Sequence, residues 1–141
     1  MPTAWPRCCR LARLRVKGFK SLRDLTLELM PVTILVRPNG SGKTAVIEAL
    51  LLLRDILGYL EGRVANPFLR WWGYRNIAWK HREDQPIELR VVIDCSRCSL
   101  EQLKEYTQSL RVHINEESLE HLKRGVDYSI VIGGAGAPPR Y

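Results

Sequence analysis

Val32-Thr33-Ile34-Leu35-Val36-Arg37-Pro38-Asn39-Gly40-Ser41-Gly42-Lys43-Thr44 runs from an apolar, largely β-branched stretch through a turn into a lysine and a threonine. Residues 32–36 predict a strand buried on both faces, because no polar residue except Thr33 interrupts them. The stretch after them, from Lys43 to about Leu60, predicts a helix that is apolar around most of its circumference and must be covered on more than one side. Glu48 and Asp55, seven residues apart, are expected to mark its narrow wet face, and Gly58 and Gly62 bracket its end.

The join between strand and helix is where the chemistry lies. A helix N-terminus presents unpaired N–H groups and a partial positive charge, which together suit an anion. Gly40 and Gly42 let the backbone wrap a phosphate without a Cβ in the way. Asn39, Gly40, Ser41, Gly42, Lys43 and Thr44 are therefore the candidate nucleotide-binding residues, with Lys43 as the charge for the β- and γ-phosphates. Thr44 is the candidate Mg²⁺ ligand through its hydroxyl. The pattern G-x-x-x-x-G-K-[ST] is met except at its first glycine, where Arg37 stands. That arginine can point to solvent, fold over the nucleotide, or crowd the loop.

Working outward, Leu14 to Phe19 and Leu25 to Leu29 alternate apolar and polar residues, and their short separation predicts an antiparallel hairpin turning at residues 20–24. From Glu61 to Asp84 the pattern is irregular but holds Phe68, Trp71, Trp72, Tyr74 and Trp79, which either pack on the domain or await a partner surface. Ile87 to Ile93 alternates again. Ser99, with Gln102 three residues on, predicts a capped helix from Leu100 to about Leu110. A second helix is expected over about 116–123 and a last strand over 126–132. The fold class is α/β: a P-loop NTPase N-terminal lobe whose mixed sheet has an antiparallel hairpin at its front, with the P-loop helix packed against it.

The 141 residues allow one domain with a real core. We divide the chain into a basic N-terminal arm (1–13), the lobe (14–132) and a flexible tail (133–141). The longest apolar stretch is broken by Glu48, Arg54 and Asp55, so it is a buried helix rather than a membrane span, and no secretory signal is present. A cytoplasmic protein with no membrane partner is expected. Of the net charge of +7, the seven basic residues between Arg7 and Arg23 account for all; beyond them 15 basic and 15 acidic residues cancel. Such an arm is a candidate nucleic-acid contact over residues 7–23, or simply a solvated tail. Of the four cysteines, Cys95 and Cys98 form a C-x-x-C, which on its own would supply only half of the four ligands that a zinc site needs. Adjacent Cys8 and Cys9 cannot easily both reach one metal, and the expectation is four unconnected thiols in a reducing cytosol.

Leu14-Arg15-Val16-Lys17-Gly18-Phe19-Lys20-Ser21-Leu22, two short strands and the loop Ile34 to Thr44 resemble the opening of the ABC-type ATPases of the SMC, RecF and OLD-like group, in particular the prokaryotic AAA-like ATPases. The resemblance is specific over residues 14–60 and fades after about residue 95. It implies ATP and Mg²⁺ as cofactors, with Asn39 and Lys43 facing the γ-phosphate and Lys20 and Ser21 near the nucleotide's outer side. It also implies that hydrolysis needs a second ATPase lobe or head, which completes the sandwich and supplies the signature motif. The signature, the Walker B strand with its catalytic glutamate and the switch histidine lie downstream in that group, so the chain reads as truncated before them. No catalytic residue is assigned. Val91-Val92-Ile93-Asp94 ends in an acid, but Asp94 comes too soon after the loop, and Cys95 stands where a catalytic glutamate belongs. Two other readings stay open: a non-catalytic interaction module with a degenerate P-loop, and a nucleic-acid binder acting through the basic arm.

Overall fold

A computed structural model describes residues 7–36 and 43–133. Four strands form one sheet in the order β2-β1-β3-β4: β1 (Arg10–Phe19), β2 (Leu22–Glu28), β3 (Ile87–Asp94) and β4 (Val126–Ile132). Among the described residues three α-helices accompany it: α1 (Lys43–Leu60), α2 (Leu100–Ser109) and α3 (Glu116–Arg124).

The expected hairpin is present and tighter than anticipated. β1 and β2 pair antiparallel from Arg13↔Glu28 to Phe19↔Leu22, leaving only Lys20 and Ser21 to turn the chain. Gly18 (φ +73°) and Lys20 (φ +49°) supply the left-handed backbone that so short a turn needs. The Lys20 N–H donates to the Ile77 carbonyl at 2.7 Å, which ties the turn to the aromatic segment. The strand begins at Arg10 rather than Leu14, with a register shift between Leu11 and Arg13 that accommodates Ala12.

Strand alternation decides which face is dry. Leu14, Val16 and Phe19 of β1, Leu22 of β2 and Ile87, Leu89 and Val91 of β3 are buried, and they share one core with Ala45, Val46, Ala49, Leu52 and Ile56 of α1. Charged residues intervene along the same strands and pair across the sheet: Arg15 donates to Asp24 and Arg90 to Asp127, each through two nitrogens, and Arg13 to Glu28. Arg10, which falls in the expected arm, is paired with Asp94 at 3.5 Å. Much of the local basicity is thus matched by carboxylates on neighbouring strands.

Two expectations are corrected here. The sheet is antiparallel throughout, not mixed. Residues 32–36 are not a buried strand: they carry no strand pairing, and Val32, Ile34 and Val36 are 81%, 79% and 83% exposed. An apolar run makes a central strand only where neighbouring strands accept its hydrogen bonds, and among the described residues none lies beside it.

The remaining elements follow their local signals. Ser99 accepts from the Gln102 N–H while the Gln102 side chain accepts from the Ser99 N–H, the reciprocal box that opens α2. Asn115 caps α3 by accepting from the Ser118 N–H at 2.8 Å. Leu103 and Leu119 form a small second core with Cys95 and Cys98, apart from the main one. The Trp-rich segment between α1 and β3 is built of three single 3₁₀ turns at 69–71, 74–76 and 79–81.

Candidate functional site

Asn39, Gly40, Ser41 and Gly42, with Arg37, lie outside the described residues. Lys43 opens α1 as the sequence requires of a phosphate loop that hands over to a helix, and Thr44, the expected Mg²⁺ ligand, is exposed in the first turn. The helix therefore starts where the sequence predicts it.

Lys20 lies in the β1–β2 turn. Its ammonium pairs with the carboxylate of Glu48, whose Oε2 also accepts the Trp71 indole N–H at 3.0 Å. The same ammonium lies 5.9 Å from the centre of the Trp71 ring, and that ring meets Phe19 edge-on at 6.3 Å. Glu48 stands one helical turn after Thr44, so the hairpin lysine is tied to α1 one turn beyond the position expected to hold Mg²⁺. Burial of the Glu48 carboxyl works against its ionisation, but hydrogen bonds from Lys20 and Trp71 and the charge of Lys20 outweigh it. The carboxyl is held below its ordinary range.

Glu48 is thus not on a wet face, and neither is Asp55. Asp55 accepts from Arg54 and from Arg70 of the aromatic segment, at 3.2 and 3.3 Å. Both carboxylates are the points at which the Trp segment grips α1. Sequence reasoning missed this because the partners, Lys20, Arg70 and Trp71, lie far along the chain. The available signal was a pair of acids on an otherwise apolar helix, which are costly there unless partnered.

The aromatic residues divide. Trp71 is buried, and Phe68 meets Tyr74 edge-on at 5.7 Å. The Tyr74 hydroxyl donates to the Gln85 carbonyl at 2.7 Å, joining the segment to the start of β3. Trp79 has Arg23 and Lys80 over its ring. Trp72 is different: it is 91% exposed, with φ +63°.

Asp94 ends β3, where its Oδ1 accepts the Ser96 N–H at 2.9 Å. That turn and the Arg10 charge hold its carboxyl below the ordinary range. It closes a strand and is not set up to polarise water. Cys95 beside it is engaged with Cys9, and Cys8 with Cys98. The expectation of four unconnected thiols is corrected: antiparallel pairing of β1 with β3 brings the two cysteine pairs to one end of the sheet.

Comparison with known proteins bears on the same part of the chain. Residues 13–53, which span most of β1, all of β2 and the first part of α1, match the family described as an AAA domain. The chain is 41% identical over 63 residues to an OLD nuclease of Thermus scotoductus, which covers 43% of this chain and 12% of that protein. It is 40% identical over 58 residues to the DNA replication and repair protein RecF of Psychromonas ingrahamii, covering 38% of this chain and 16% of the relative. The RecF of Erwinia tasmaniensis matches at 48% identity over 44 residues. The chain therefore spans well under a fifth of the length of these relatives. Its matched segment is similar to segments of an AAA domain, of RecF and of the OLD nuclease. The described residues contain no helix long and apolar enough to cross a membrane.

Proposed function

We propose that this chain binds ATP with Mg²⁺ through Asn39 to Thr44, as the nucleotide-binding lobe of an SMC/RecF-like ATPase that hydrolyses ATP only with a complementary half. The observation that carries this reading is the family match over residues 13–53, which embraces the whole loop and the first part of the helix that follows it. Phosphoryl transfer in P-loop enzymes rests on positioning and on stabilising the γ-phosphate, and no carboxylate in the described site is free to orient water. Glu48 is committed to Lys20 and Trp71, and Asp55 to two arginines. Binding without turnover is the activity this set of residues supports.

Within that reading Lys43 supplies the phosphate charge, Thr44 the metal ligand and Lys20 a second, outer cation whose charge is shared with Glu48. Isothermal titration of the purified chain with a non-hydrolysable ATP analogue and Mg²⁺ tests it. Binding is expected in the wild type and lost in Lys43→Ala; Lys20→Met is expected to weaken it less, because that charge is already partnered. Equal affinity of wild type and Lys43→Ala would overturn the proposal. Arg37→Gly then reads the departure from the loop pattern: tighter binding means crowding, and weaker binding means that Arg37 touches phosphate.

One observation favours a second reading. Trp72 is held almost fully in solvent at the edge of an otherwise packed aromatic segment, as an anchor for another protein surface would be. An interaction module of this kind predicts partner capture that Trp72→Ala removes and nucleotide does not affect.

A further inference from the structure

β1 and β3 are antiparallel neighbours whose register sets Arg10 opposite Asp94. The residues just beyond that rung are Cys8 and Cys9, before β1, and Cys95-Ser96-Arg97-Cys98, after β3. A turn at Arg7 and Cys8 breaks the extended backbone before β1, so adjacent cysteines both reach the same place. On the other side the Cys98 N–H donates to the Cys95 carbonyl at 3.0 Å, a tight turn that sets its two cysteines side by side.

The result is one cluster of four sulfurs. Cys8 is bonded to Cys98 and Cys9 to Cys95. Across the two bonds, the Cys9 and Cys98 sulfurs are 3.5 Å apart, and the sulfurs of Cys8, Cys9 and Cys98 all lie within 4.8 Å of one another. Tetrahedral zinc with Zn–S bonds of about 2.3 Å needs its four sulfurs about 3.8 Å apart. The Cys9–Cys98 spacing is close to that value, and the Cys95 sulfur is bonded to that of Cys9.

We propose that, in the reduced protein, Cys8, Cys9, Cys95 and Cys98 together bind one Zn²⁺ as a structural site. Each disulfide takes two electrons and two protons from a dithiol reductant, which leaves as its own disulfide. The four thiols then release four protons to solvent as the metal binds. The chemistry of the donor set suits zinc: four soft thiolates within reach of one another. Arg7, Arg10 and Arg97, each within two residues of a ligand, lie where a zinc tetrathiolate carries two negative charges.

The place of the cluster says what the metal does. Apart from Cys95 and Cys98, the second core has only Leu103 and Leu119 fully buried, with Ile93, Ile114 and Leu122 partly covered. So few apolar side chains do not hold two short helices by themselves, and small units of this kind are stapled by a metal or by disulfides. The zinc pins the α2–α3 pair to the end of the sheet in a reducing compartment, where the disulfides would not persist. This is independent of whether the phosphate loop binds nucleotide.

The test uses the full chain, reduced with a phosphine reductant and desalted. Metal analysis is expected to find about one zinc per chain. After zinc is removed, titration with Co²⁺ is expected to give the intense sulfur-to-cobalt charge-transfer and d–d bands of a tetrahedral tetrathiolate. Cys98→Ser is expected to lose the retained zinc and the tetrathiolate spectrum. Should that variant fail to fold, Cys8→Ser, whose side chain is only partly buried, is read instead. Hydrogen exchange should then show lost protection in α2 and α3 with α1 unchanged. A reduced, folded chain that takes up neither zinc nor cobalt overturns the proposal, and so does metal binding that both serine variants leave intact.

Discussion

Glu48 holds three parts of the molecule at once: it lies on α1, accepts from the β1–β2 turn through Lys20, and accepts from the Trp segment through Trp71. Glu48→Ala strands a part-buried ammonium and a buried indole N–H, and is expected to cost about 1–3 kcal/mol, read by urea unfolding. The pH dependence follows from its depressed pKa. The folded carboxyl holds its proton less tightly than the unfolded one. Its contribution is therefore complete above the ordinary glutamate range and disappears as pH falls through the lower, folded value. Glu48→Gln should flatten this acid limb; an unchanged limb would mean that the pairing carries no stability. A reader of the sequence sees two acids seven apart and assigns them to solvent, since nothing local announces that Lys20, Trp71 and Arg70 will arrive there.

Among the elements, those with their own local signals were legible and those that depend on neighbours were not. Strand alternation in Leu14 to Phe19 and Ile87 to Ile93, the Ser99–Gln102 box and the long apolar helix from Lys43 each follow from residues a few positions apart. The run 32–36 has an equally strong local pattern, yet a central strand needs partners on either side that periodicity cannot supply. The cysteine pairing is not legible in the sequence for a related reason: the convergence of the four thiols depends on the Arg10↔Asp94 register, which is a property of the sheet. The hairpin turn offers the sharpest test at this scale. A Cβ on Gly18, already at φ +73°, would sit 2.8 Å from the Pro86 carbonyl oxygen. Gly18→Ala is expected to destabilise by about 1–3 kcal/mol, and thermal unfolding that matches wild type would show that the turn relaxes. Ser99→Ala removes only the cap of α2, with an expected cost of about 1 kcal/mol.

For the whole molecule, the question is what the apolar surface is for. The antiparallel sheet covers one side of α1, while Ile47, Leu57, Tyr59 and Leu60 of the helix stay exposed, as do Met30, Val32, Ile34 and Val36 just before the phosphate loop. Soluble monomers seldom leave so many large apolar side chains in water without a partner surface. The matched relatives are far longer than this chain, which spans 12% of the OLD nuclease and 16% of RecF. A complementary lobe that lays strands beside residues 32–36 would satisfy both the backbone and the side chains of that run. On its own, the chain is expected to associate through this surface, with a sedimentation coefficient that rises with concentration. Replacing Val32, Ile34 and Val36 together with glutamate removes the apolar run without touching the sheet or α1. That variant should sediment as a monomer with unchanged helix content. Concentration-independent sedimentation of the wild type would mean that water tolerates the run as it stands, and the case for a covering lobe would lose its physical basis.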